Sequence, residues 1–134
     1  LTVLACRSGS LEGGYLFTDV VKDGVELSVE GIKCRLVGDN EIGYFMPEVS
    51  CVLVGAQAIL DNGGVLGHAG TSVVALLAHY ARKPLYVFAE SYKFLRRSYL
   101  CQRDIPQRFS EDRQGKQKSI VIDLTPPEHI SLFC

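Results

Sequence analysis

The run CVLVGAQAILDNGGVLGHAGT, Cys51 to Thr71, decides how the chain folds. Its first five residues, Cys51-Val52-Leu53-Val54-Gly55, are apolar up to a closing glycine. That pattern predicts a parallel strand buried on both faces, since such strands do not alternate polar with apolar residues. Asp61-Asn62-Gly63-Gly64 then marks a break, and Gly70-Thr71 opens a run with helical period. Strand, glycine-rich loop and helix N-terminus in succession make a common anion site, because unpaired backbone N–H groups and the positive end of the helix dipole meet there. On spacing alone two readings stay open: an anion cradle, or glycines that serve only tight turns. No Gly-Lys-Ser/Thr follows, so this is no Walker loop, and the glycines lack the spacing of the dinucleotide fingerprint.

Working outward, Thr71–Arg82 has the clearest helical period, with Val73, Val74, Leu77 and Ala81 expected towards a sheet. Pro84 lies past its end and Leu85–Ala89 reads as a strand. Upstream, residues 1–6 and Ile32–Val37 read as strands, and Glu41–Met46 as a short helix stopped by Pro47. Between those strands, Leu16, Val20, Val21, Val25 and Val29 recur at helical steps, predicting one helix from Glu12 to a cap at Gly31, the alternative being a break at Gly24 with Val25–Val29 as a strand. Downstream, residues 90–118 are charged and loop-rich, Ser119–Leu124 is a fifth strand, and Thr125-Pro126-Pro127-Glu128 reads as a helix start. Strands alternating with helices predict a Rossmann-like α/β fold: a doubly wound, mainly parallel sheet with helices on both faces.

At 134 residues the chain has the size of one domain with a core of its own. A formal charge of −1 gives no electrostatic reason to expect nucleic acid or a membrane surface. No apolar run approaches the roughly 20 residues that span a bilayer. The five cysteines show no CxxC spacing, so no metal site is legible and a reducing, cytoplasmic setting fits better than a disulfide framework. Cys34 and Cys51 sit in apolar runs, where a free thiol behaves as a small hydrophobe. Leu1 starts inside a strand-like run and the chain stops inside Ile130–Cys134, so it is expected to be a piece of a longer protein.

In an open α/β sheet, ligands collect beyond the carboxyl ends of the strands. Those ends supply His68, either a loop histidine that touches an anion or one simply in solvent, and Asp39 and Glu90, which either cap local backbone or form an acid–base pair. His79 is placed on the outer face of its helix and His129 in the first turn of the last one. Glu90-Ser91-Tyr92-Lys93-Phe94-Leu95-Arg96-Arg97 puts two aromatics and three cations directly after a strand, the residue types that anchor interfaces. The alternative is an ordinary polar loop with Phe94 tucked into the core.

VLVGAQAILDNGG…GT, then PLYVFAESYKF, QRDIP and DLTPPEHI, resemble the C-terminal domain of the regulatory alpha, beta and delta subunits of eukaryotic translation initiation factor 2B. Glu90–Phe94 and Gln102–Pro106 are most similar to the alpha subunit, and the likeness is best from Ile32 to Ile130. The resemblance implies one Rossmann-like C-terminal domain over residues 1–134. It also implies a non-catalytic cytoplasmic subunit of the guanine nucleotide exchange factor for initiation factor 2, with no cofactor. Its partners would be the other subunits, a second copy of itself, and initiation factor 2 with its alpha subunit phosphorylated. Tyr92, Lys93, Phe94, Arg96, Arg97 and Arg103 would carry partner binding, the cations being the groups that a phosphoserine needs.

The same superfamily includes sugar-phosphate isomerases of the methylthioribose-1-phosphate type. Their acid follows the Gly-Ala of the VLVGA strand, where this sequence has Gln57, and an amide cannot exchange a proton as a carboxylic acid does. Their phosphate-holding Asn-Lys pair is Gly67-His68 here, and their Arg and Gln after the first strand fall at Ser8 and Glu12. Their catalytic cysteine lies upstream of this chain. The resemblance therefore implies no catalytic residue, and leaves a sugar phosphate or nucleotide only Asn62, Gly63, Gly64, His68, Gly70 and Thr71.

Overall fold

Apolar runs form strands where their composition places them, but the strands pair differently from the expected single sheet. A computed structural model describes residues 2–7, 33–106, 109–111 and 118–134, within two units, residues 1–45 and 46–134. In the first unit, β1 (Thr2–Arg7) lies parallel to β2 (Lys33–Gly38), with Thr2 opposite Lys33 and Arg7 opposite Gly38. The Gly38 N–H donates to the Glu41 carboxylate at 3.1 Å, starting a 3-10 turn that runs into α1 (Ile42–Phe45) with Ile42 buried. The helix expected over Glu12–Gly31 lies outside the described residues.

Among the described residues the second unit holds two larger sheets and one two-stranded pair. One is fully parallel, β11-β6-β3, built from β3 (Val52–Gly55), β6 (Leu85–Phe88) and β11 (Leu132–Phe133). The other is mixed, β10-β5-β4-β7, built from β4 (Ala58–Leu60), β5 (Val65–His68), β7 (Phe94–Leu95) and β10 (Ile122–Thr125). β8 (Phe109–Glu111) and β9 (Lys118–Ile120) form an antiparallel pair. The fold is thus mixed α/β, with the expected parallel sheet present beside a mixed sheet whose β4, β5 and β10 pair antiparallel.

Two local causes produce the difference. The Asp61–Gly64 break closes a hairpin: Leu60 N–H donates to the Gly64 carbonyl at 2.8 Å, and the Asn62 side chain accepts from Gly64 N–H at 3.0 Å. Gly63 takes φ +82, open to glycine at no steric cost, so the flanking apolar residues can pair as β4 and β5. At the other end, Pro127–His129 makes a single 3-10 turn in place of a last helix. Ile130 returns to extended backbone, and β11 joins the parallel sheet through Ser131 N–H to Leu85 carbonyl and Cys134 N–H to Val87 carbonyl.

The helix α2 (Thr71–Tyr80) packs through Thr71, Ala75 and Ala78, a stripe at steps of four and three. Its alanines let the helix approach Val52, Val54, Leu85 and Val87 closely, within a core that also holds Ala56, Ile59 and Val65. The expected inward residue Val73 is 55% exposed, while Val74, Leu77 and Ala81 are half-buried. A second cluster, Ala58, Leu60, Leu66 and Ile105, fills the opposite face of the mixed sheet. β3 is not buried on both faces as expected: Leu53 is 61% exposed, and Phe88 stands out on the same side. Cys51, just before β3, is exposed rather than packed.

Candidate functional site

β3 ends at Gly55, and Ala56-Gln57 carries the chain across to β4. The Gln57 N–H donates to the Leu66 carbonyl at 2.9 Å, which fixes Gln57 beside β5. Its side-chain Nε2 lies 2.9 Å from Nε2 and 3.3 Å from Nδ1 of His68, the last residue of β5. The residue that the resemblance aligns with an isomerase acid is thus an amide held against an imidazole. It offers a hydrogen bond and no exchangeable acid proton.

Past His68 the chain turns at Gly70, whose φ of +105 lies in the left-handed region, and enters α2. The N-terminus of this helix is already capped by a carboxyl group. Asp123 Oδ2, from β10, accepts hydrogen bonds from Gly70 N–H at 2.8 Å, Ser72 N–H at 2.9 Å and the Ser72 hydroxyl at 2.9 Å. Strand register makes this possible, because antiparallel pairing sets Asp123 opposite Gly67. A Cβ on Gly67 would stand 2.8 Å from Thr71 Oγ1, so the missing side chain also makes room for Thr71. Asp123 is buried, and its other oxygen, Oδ1, and Thr71 Oγ1 have no hydrogen-bond partner. Burial pushes the Asp123 carboxyl above the usual aspartate range, outweighing the hydrogen bonds from Ser72 and Gly70 and the pull of His68. Gln102 clasps the same strand, its Nε2 donating to Ile122 carbonyl at 2.9 Å and its Oε1 accepting from Leu124 N–H at 2.7 Å.

The six residues expected around an anion are not brought to one point. Asn62, Gly63 and Gly64 form the β4–β5 turn, while His68, Gly70 and Thr71 lie at the other end of β5, about 10 Å away along the strand. The Gly70 N–H is committed to Asp123, and the Thr71 side chain is buried. Asp123 escaped the sequence reading, although a lone acid within Ile120-Val121-Ile122-Asp123-Leu124 was the available signal: such a group is buried only with partners.

The Asp39 side chain lies outside the described ones, and with it the expected pair with Glu90. Glu90 meets Lys93 Nζ at 2.6 Å, and the hydrogen bond from that ammonium lowers its carboxyl. Phe94, on β7, is 59% exposed and so is not tucked into the core. Tyr92, Arg96, Arg97 and Arg103 are also exposed. Among the described residues, no helix is long and apolar enough to cross a membrane.

Residues 22–134 match the Initiation factor 2 subunit family. The chain is 35% identical over 114 residues to the translation initiation factor eIF2B subunit alpha of Caenorhabditis elegans, covering 81% of this chain and 37% of that protein. It is also 35% identical over 117 residues to the ribose 1,5-bisphosphate isomerase of Archaeoglobus fulgidus, again covering 81% and 37%. Among solved structures, the Pyrococcus horikoshii translation initiation factor eIF-2B superposes with a TM-score of 0.80 at 28% identity, over 98% of this chain and 46% of that one. The chain thus spans less than half the length of each relative.

Proposed function

Since this chain belongs to the Initiation factor 2 subunit family, we propose that it serves a non-catalytic regulatory subunit, alpha-like, of the exchange factor for translation initiation factor 2. In that role it assembles with the other subunits and with a second copy of itself in the cytoplasm, and senses initiation factor 2 phosphorylated on its alpha subunit. The observation that carries the reading is Gln57: an amide 2.9 Å from the His68 ring stands where an isomerase needs an acid. The self-capped helix supports it further, because Asp123 already occupies the N–H groups at the N-terminus of α2 that a phosphate would take.

The exposed aromatics Tyr92 and Phe94 and the cations Lys93, Arg96, Arg97 and Arg103 supply the partner face. Arginine and lysine are the side chains that pair with a phosphoserine. The second reading, a sugar-phosphate isomerase or a binding module for such esters, draws on the 35% identity to a ribose 1,5-bisphosphate isomerase. It would use His68 at one end of β5, or Asn62, Gly63 and Gly64 at the other.

Immobilised full-length subunit, challenged with phosphorylated and unphosphorylated initiation factor 2, tests the proposal. The phosphorylated form is expected to be retained preferentially. Equal and negligible capture of both forms would sink the regulatory role.

A further inference from the structure

A second cluster of charged groups lies at the far end of α2 from Asp123, about 15 Å along a ten-residue helix. His79, Arg82, Lys83, Glu128, His129 and Ser131 line a cavity of about 380 Å³ there. His129 sits in the 3-10 turn rather than in a helix, and its ring tilts against that of His79, with centroids 4.8 Å apart and planes at 41°. Lys83 Nζ donates to the Pro47 carbonyl at 3.0 Å, which holds the ammonium in place. Ser131 Oγ accepts from Leu85 N–H at 3.1 Å, leaving its own proton to donate.

Three features make this cavity suited to an anion. Three carbonyls of the last helical turn, which would repel one, are engaged in the cap: Leu77, Ala78 and His79 accept from Ala81, Lys83 and Arg82 N–H. Among the described residues no ion pair engages Arg82 or Lys83, and Glu128 is the one carboxylate lining the cavity. Finally, Arg82 adopts φ +55, a position past a helix end where glycine is the usual choice. A side chain kept at a strained position points to use of that side chain.

We propose that this cavity binds a phosphoryl anion, as inorganic phosphate or as the phosphate of a small ester. The guanidinium fork of Arg82 and the ammonium of Lys83 supply the charge-assisted bonds, and the imidazoles and the Ser131 hydroxyl supply further N–H and O–H donors. The depression opens to solvent, so the group attached to the phosphate has room. The site uses none of the residues on which the regulatory reading rests.

Calorimetric titration of the full-length protein with inorganic phosphate and with glycerol 3-phosphate, at constant ionic strength in chloride, tests it. Saturable binding is expected for at least one of them, weakened about ten-fold or more in Arg82→Gly and in Lys83→Met. Arg82→Gly suits the left-handed backbone, so loss of binding there is not loss of fold, and a thermal melt checks this. Tighter binding of the ester assigns the site to esters; equal binding assigns it to the free anion. No saturation by either in the millimolar range, or equal binding by both variants, overturns the proposal.

Discussion

Asp123 is an acid inside an apolar strand, and its three hydrogen bonds converge on one oxygen at the start of α2. Asp123→Ala leaves two N–H groups and a hydroxyl without that partner, with a loss of about 2–3 kcal/mol expected in urea unfolding. The pH dependence has a definite sign. Burial raises the folded carboxyl above its unfolded value, so the folded state binds the proton more readily. The stability that Asp123 contributes relative to the alanine variant is therefore fully present below the unfolded aspartate pKa. It falls as pH rises through the raised folded value and is level above it. A difference that grows with pH across that window would contradict the burial described here. Gln57 was legible in the sequence because its neighbours Gly55-Ala56 fix its place. Its contact with His68 was not, since eleven residues and a hairpin separate them.

At the scale of elements, the apolar runs gave away β3, β6 and α2 to within a residue or two. The hairpin of β4 and β5 was missed because its glycines read equally well as a ligand loop, and only pairing of the flanking residues decides. The last helix was wrong for a related reason. Proline at a first turn suits a 3-10 turn as well as an α-helix, and pairing of Leu132 and Phe133 with β6 prevails over local propensity. The QRDIP motif shows the converse. Gln102 was notable only for resemblance, yet its amide holds β10 by both ends, as a neighbouring strand would. β7 carries Phe94 outward beside Tyr92. Phe94→Ala is expected to change stability by less than about 0.5 kcal/mol, as for other surface positions. It should weaken capture of partner subunits about ten-fold or more if Phe94 is an anchor. Chemical denaturation and capture measured on one preparation separate the two effects, and unchanged capture would remove Phe94 from the partner face.

Across the whole molecule, one scaffold serves proteins named as initiation factor subunits and proteins named as isomerases, at equal identity to this chain. Fold alone therefore does not choose between them. The choice rests on chemistry at a few atoms: an amide beside His68, a glycine with no room for a Cβ at position 67, and a helix N-terminus already capped by Asp123. On the reading proposed above, the amide supplies no acid proton and the cap occupies N–H groups that a phosphate would take, while the exposed surface that partners would use is left open. Incubation of the full-length protein with ribose 1,5-bisphosphate and, separately, with methylthioribose 1-phosphate measures this directly. No isomerised product above the uncatalysed rate is expected from either sugar; sustained turnover of either one would contradict the assignment of Gln57 as a residue without acid function.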